Sequence, residues 1–223
     1  CWPNPWPASK IRSIQYVSTE GAAAPFCVAI TGSLLPTDDP RRNPALGTAE
    51  SPQHLHAQSR RSEPGYRAIY SLDPQGRNLK FVFDAPGMIS TATPDLSHDG
   101  QYLLCDAIPE LDAVVRSRIF LVALRGPFAG VVRDLGHGNT PVWSPDDKKI
   151  AFMLNHGNPE AREPGIWIMN ADGTEPERLC NGNYPQWSPD GEKLCVDAGE
   201  NLLIYDLADS RESTLLPDEL RSV

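Results

Sequence analysis

Histidine, carboxylate and cysteine side chains are the groups best suited to chemistry, and here they are sparse. Five histidines and five cysteines are spread over 223 residues. His54 and His56 flank Leu55, so an extended segment would hold both imidazoles on one side, as in half of a zinc site. No cysteine or carboxylate completes a zinc spacing with them, and a polar loop is the better reading. Asp and Gly recur in short turn-like runs, but without the alternating carboxylates of a calcium loop. The chain has no G-x-S-x-G, H-E-x-x-H, G-x-x-x-x-G-K-[ST] or G-x-G-x-x-G segment, so no nucleophile elbow, zinc protease helix or phosphate cradle is spelled out. No catalytic residue, metal or cofactor is expected. Cys1, Cys27, Cys105, Cys180 and Cys195 include no C-x-x-C pair, and their odd number leaves at least one unpaired within the chain. Cys27, Cys105 and Cys195 lie inside apolar runs and read as small buried hydrophobes.

What remains is a set of polar side chains able to bind rather than react: His137, Asn139, His156, Asn158, Glu160, Arg162, Glu163, Asn183 and Tyr184. Whether they can act together depends on the elements that carry them. The composition narrows those elements. Hydrophobic residues make up 40% and charged residues 22%, enough for a core that removes roughly 70–75% of the unfolded surface from water. The net charge of -9 argues against nucleic acid as the main partner, since such binding runs on clustered Lys and Arg. The longest apolar run, Ile119 to Leu124, is far too short for a membrane helix of about 20 residues. Twenty-two prolines break up long helices, so a helical bundle is excluded. The opening, Cys1-Trp2-Pro3-Asn4-Pro5-Trp6-Pro7, reads as a tether over 1–10. A processed lipoprotein begins on cysteine and would carry a lipid anchor at Cys1; a trimmed boundary accounts for the same residue equally well.

The dominant signal is a repeat. Trp187-Ser188-Pro189-Asp190-Gly191-Glu192-Lys193-Leu194 echoes Trp143-Ser144-Pro145-Asp146-Asp147-Lys148-Lys149-Ile150. A degraded copy stands at Leu96-Ser97-His98-Asp99-Gly100-Gln101-Tyr102-Leu103, and a fainter one at Val17-Ser18-Thr19-Glu20-Gly21. Ser, Pro, Asp and Gly suit the four positions of a type I turn, and short apolar segments flank each copy as hairpin strands do. A second turn recurs at Asn170-Ala171-Asp172-Gly173 and Asp73-Pro74-Gln75-Gly76. Each unit of about 40–45 residues therefore holds four strands and two tight turns, the pattern of a β-propeller blade. The spacing predicts an all-β chain with four-stranded antiparallel blades at about 11–83, 88–135, 140–179 and 184–216. A proline-, serine- and arginine-rich insertion is expected at 32–64. Trp143 and Trp187, with Leu96 in the same slot, read as blade-core residues.

These residues resemble the TolB-type propeller repeat, the bacterial WD-repeat-like family. The likeness lies in Trp143–Phe152, Ile166–Leu179 and Trp187–Leu194. It implies a larger propeller of six to eight blades, with four present here. It also implies a non-catalytic scaffold for protein partners in the periplasm or elsewhere outside the cytoplasm. An accessory propeller of a larger prolyl-oligopeptidase-type or tricorn-type peptidase carries the same repeat and is the alternative function; the alternative location is the cytoplasm.

Blade connectivity puts both tight turns on one face and the longer connections on the other. The polar residues named above fall in those connections, making them the candidate binding face. Two end units of an open ring lack a neighbour, so association through them is expected, with further blades or with another copy. The residues expected on those faces are Ile14, Tyr16, Val28 and Ile30 at one end, and Leu203, Tyr205, Leu215 and Leu216 at the other.

Overall fold

A computed structural model of the chain describes the backbone of residues 10–17, 26–33, 67–72, 77–110, 113–199 and 201–214, with side chains from Arg67 on except that of Leu72. The tether, the insertion from residue 34, His54, His56, the turn at Asp73, and Leu215 and Leu216 lie outside the described residues. So do the side chains of Ile14, Tyr16, Cys27, Val28 and Ile30.

The described residues form sixteen strands in four antiparallel meanders, with one 3-10 turn at Val114–Arg116. Unit one is β1 (Lys10–Val17), β2 (Phe26–Ser33), β3 (Arg67–Leu72) and β4 (Lys80–Phe83). Unit two is β5 (Ser90–Leu96), β6 (Tyr102–Ile108), β7 (Arg118–Ala123) and β8 (Val132–His137). Unit three is β9 (Asn139–Trp143), β10 (Lys149–Leu154), β11 (Gly165–Asn170) and β12 (Glu177–Cys180). Unit four is β13 (Asn183–Trp187), β14 (Lys193–Asp197), β15 (Leu202–Asp206) and β16 (Arg211–Thr214). Units three and four are separate four-stranded sheets. Units one and two are not: a single parallel bridge, Arg67 to Ser90, joins them into one eight-stranded sheet. The Arg67 amide donates to the Ile89 carbonyl at 3.3 Å.

The turns explain the repeat. In each copy the serine carbonyl accepts the amide three residues on: Gly100 to Ser97 at 2.8 Å, Asp147 to Ser144 at 2.9 Å and Gly191 to Ser188 at 2.9 Å. The serine hydroxyl donates to the turn aspartate, Ser97 to Asp99 and Ser144 to Asp146 at 2.7 Å, Ser188 to Asp190 at 2.5 Å. It also accepts the amide that opens the next strand, from Tyr102, Lys149 and Lys193, each at 2.9 Å. The closing residues are left-handed, with φ of 67° at Gly100, 57° at Asp147 and 74° at Gly191. Glycine takes that conformation freely and aspartate tolerates it.

Strand alternation then builds three core clusters between units, and a fourth, Ala68 and Tyr70 with Leu79 and Phe81, lies within unit one. One face of unit two (Leu104, Ile119, Leu121) packs on Trp143, Ile150, Phe152 and Met169 of unit three. The far face of unit three (Ala151, Met153, Ile166) packs on Leu194, Val196 and Tyr205 of unit four. Ile69 and Phe83 of unit one pack on Leu103, Cys105, Phe120 and Val122 of unit two. Trp143, Trp187 and Leu96 hold the same register, opposite Ile150, Leu194 and Leu103. At the unit-four end one expectation fails. Tyr205 is buried and Leu203 half-buried against unit three, because each pairs across the sheet with Leu194 or Val196 on that face.

Candidate binding face

The longer connections emerge opposite the tight turns, and the 155–164 segment between β10 and β11 is organised from within. Asn158 is buried at 5% exposure. Its amide nitrogen donates to the carbonyls of Asn155 (3.0 Å) and Arg162 (2.8 Å), and its oxygen accepts the Arg162 amide at 3.2 Å. The side chain is thus committed to shaping the loop.

That shape sets up a line of alternating charge. Arg118 of β7 pairs in register with His137 of β8. The Arg118 guanidinium donates from Nε to Asp134 at 2.6 Å and lies 3.2 Å from His137 Nε2. On its other side His137 Nδ1 meets Glu160 Oε1 at 3.0 Å. Glu160 Oε2 in turn pairs with Arg162 Nε at 2.9 Å. The Arg162 guanidinium then lies 5.3 Å over the Trp167 ring, a cation–π distance. Trp167 is itself held by its indole N–H donating to the Glu163 carbonyl at 3.0 Å. Burial pushes the Glu160 carboxyl up, but the His137 hydrogen bond and the Arg162 charge outweigh it and hold it below its ordinary value. The network clasps the outer strands of unit two to the loop of unit three.

Of the residues named from sequence, His137, Glu160 and Arg162 are brought together. His137 and Asn139 stand at the facing ends of β8 and β9, separated only by Gly138. Asn139 is buried at 3% exposure, out of reach of a macromolecular partner. His156 and Glu163 are exposed, and Asn183 and Tyr184 open β13, with Tyr184 58% exposed. Sequence reasoning missed Arg118, Asp134 and Trp167, which sit inside strand-like runs or beside them with no loop signature. It also missed Val114 and Val115, exposed on the 3-10 turn of the neighbouring connection. The Asn155 side-chain Nδ2 donates to the Val114 carbonyl at 3.2 Å and ties that turn to the 155–164 loop.

The polar contacts of the His137 ring are an arginine and a carboxylate, neither of them a nucleophile a general base could activate. Among the described residues no cluster of three or more metal-ligating side chains occurs. No helix among them is long and apolar enough to cross a membrane.

No protein-family profile and no curated protein matches the chain. Solved structures do. TolB from Acinetobacter baumannii is similar at 19% identity and a TM-score of 0.55, over 70% of this chain and 39% of that one. A putative TolB from Agrobacterium tumefaciens gives 20%, 0.56, 85% and 61% for the same quantities. A puromycin-hydrolysing peptidase of Mycobacterium tuberculosis gives 14% and 0.59, over 92% of this chain and 30% of that one. The fold is that of a partial β-propeller. The chain spans less than two thirds of each of these structures, and propellers of one architecture serve unrelated functions.

Proposed function

We propose that the chain is a non-catalytic propeller scaffold that binds protein partners through its loop face, outside the cytoplasm. The observation that carries this reading is the charged line from Asp134 to Trp167, on a loop tied through Asn155 to the turn that exposes Val114 and Val115. Exposed apolar side chains next to polar and charged groups are an ordinary composition for a protein-binding surface. The extracytoplasmic location rests on the TolB-type character of the repeat. A second reading, the accessory propeller of a larger peptidase, is supported by the similarity to the mycobacterial peptidase, which covers nearly all of this chain.

Photo-crosslinkers placed at Tyr184 and Val115 in cells test the scaffold reading, with Phe128 on the turn face as control. Discrete protein adducts from the first two positions, reduced by Glu160→Arg, are expected. Adducts from Phe128 alone would overturn the assignment of the face. A peptidase activity abolished by one substitution in this chain would overturn the non-catalytic reading.

A further inference from the structure

Asparagine followed by glycine is open to backbone attack on the side-chain amide, because glycine puts no Cβ in the way of its own nitrogen. The chain has one such pair, Asn181-Gly182, in the connection from β12 to β13. The fold requires glycine there. Gly182 has φ of 139°, and a Cβ would lie 3.0 Å from Val196 Cγ2 and 3.2 Å from the Asp197 carbonyl oxygen. Asn181 itself is exposed. Three Asp-Gly pairs elsewhere offer the same nucleophile, but in each the glycine amide is tied to a carbonyl. Gly100 donates to Ser97 and Gly173 to Asn170, both at 2.8 Å, and Gly191 to Ser188 at 2.9 Å. The Gly182 amide donates to no group among the described residues.

The group to be attacked is prepared as well. Arg178 donates from Nη2 to Asn181 Oδ1. Its guanidinium is held by the Pro164 carbonyl, which accepts from Nε at 3.0 Å, and by Glu163 Oε2, 3.5 Å from the same nitrogen. Gly165 makes room for it, since a Cβ there would stand 3.2 Å from Arg178 Nη2. A fixed cation on the amide oxygen draws electrons from Cγ and stabilises the oxyanion that attack would form. The leaving group, Asn181 Nδ2, makes no hydrogen bond among the described residues. Asn170 is the contrast. Its Nδ2 donates to Thr174 and Glu175, and the amide that follows it, of Ala171, is tied to the Lys148 carbonyl at 2.9 Å.

We propose that Asn181 is a self-deamidation site, with the Gly182 amide nitrogen as nucleophile and Arg178 as the group that polarises the amide carbonyl. The Gly182 nitrogen gives its proton to solvent and bonds to Cγ. The Cγ–Nδ2 bond breaks, and Nδ2 takes up a proton and leaves as ammonia. Water then opens the cyclic imide, at Cγ to give isoaspartate's isomer aspartate only if the bond to Cγ is the one cleaved, and at the main-chain carbon to give isoaspartate. One water is consumed and one ammonia released. The aspartate product sets a carboxylate against Arg178, next in the chain to Asn183 and Tyr184 of the loop face. The isoaspartate product adds a methylene to the main chain beside the tight contact of Gly182 with Val196.

Ageing the folded 223-residue chain at neutral and mildly alkaline pH gives the test. The readouts are ammonia release, the mass of the peptide containing residue 181, and enzymatic methylation of isoaspartate. Asn181 should convert while Asn170 stays intact, and the rate should rise with pH, since the nucleophile is the deprotonated amide. Arg178→Gln should slow conversion about tenfold, the worth of one charge-assisted hydrogen bond, and Arg178→Lys should restore part of the rate. In urea all three chains should react at one slower rate, because the guanidinium is no longer held on the amide. Should the Arg178 variants misfold, the wild type decides by itself, since its folded form must convert faster than its unfolded form. An intact Asn181, equal loss at Asn170, a rate indifferent to Arg178, or a folded rate no greater than the unfolded one would overturn the proposal.

Discussion

At the scale of single residues, the turn positions carry the clearest predictions. Gly191 has φ of 74°, and a Cβ there would lie in ordinary contact with Pro145, 3.5 Å from its Cδ. Space is available; the backbone conformation is the obstacle. Gly191→Val should therefore cost about 1–2 kcal/mol in denaturant unfolding, while Gly191→Asp, copying Asp147, should cost less. An equal loss for both would show that crowding, and not left-handed backbone, sets the penalty. Asp95 offers a second test. It is half-buried at the seam between units two and three, where it accepts the Trp143 amide at 2.7 Å. Burial raises its pKa from 3.8 to about 6, against the lowering effect of that hydrogen bond. The folded state thus holds the proton more tightly than the unfolded one. This group's contribution is fully present below 3.8 and is lost as pH rises through 6, by about 2–3 kcal/mol. Asp95→Asn should remove that decline, so wild type and variant should diverge between pH 4 and 6 in paired melting curves. Parallel curves would count against the shift. The turn aspartates Asp99, Asp146 and Asp190 act in the opposite sense, held low chiefly by their serine hydroxyls. Their stabilisation is lost only as pH falls below the ordinary carboxylate range.

At the scale of elements, hairpins and turns could be read from the sequence because their chemistry is local. Ser144, Asp146 and Lys149 satisfy one another within six residues, and the spacing that shows this survives in every strong copy. The contacts between sheets left no such trace. Asp147 fills a glycine slot, which from sequence is simply a tolerated substitution. In the fold its carboxylate reaches back to unit two and accepts the His98 amide at 2.9 Å and the Asp99 amide at 3.3 Å, and it meets the His98 ring at 2.9 Å. A residue that departs from the repeat here helps to join two repeats. Asp147→Gly keeps the turn and deletes the link, so any loss belongs to the seam. A drop of about 1–2 kcal/mol is expected, with faster hydrogen exchange at the His98 amide. Unchanged exchange there would show the link to be unimportant. The inward direction of Leu203 and Tyr205 was hidden for a related reason. Period-two alternation says that two faces exist, but which face meets a neighbour depends on register against β14. The Arg118–His137–Glu160 line was likewise invisible, since its members are far apart in sequence and meet only through strand pairing and a folded loop.

At the scale of the whole molecule, most of the core lies in the seams, and this decides how the chain should unfold. Leu104 of unit two and Phe152 of unit three are both in the second cluster, while Leu194 belongs to the third. Each is nearly or wholly buried, so each truncation to alanine should cost about 2–5 kcal/mol. If a seam is one packed unit, Leu104→Ala and Phe152→Ala relieve and enlarge the same space. Their joint cost should differ from the sum by at least about 0.5 kcal/mol. Leu104→Ala with Leu194→Ala should add, because a whole sheet stands between them. Urea unfolding of the singles and the two doubles measures both cycles. Coupling confined to the first pair would place the cooperative unit at the seam between sheets. Coupling of equal size in the second pair would mean that strain crosses unit three intact and that the sheets behave as one body. Additivity in both would mean that each sheet stabilises itself, an outcome at odds with the three clusters that neighbouring units build jointly.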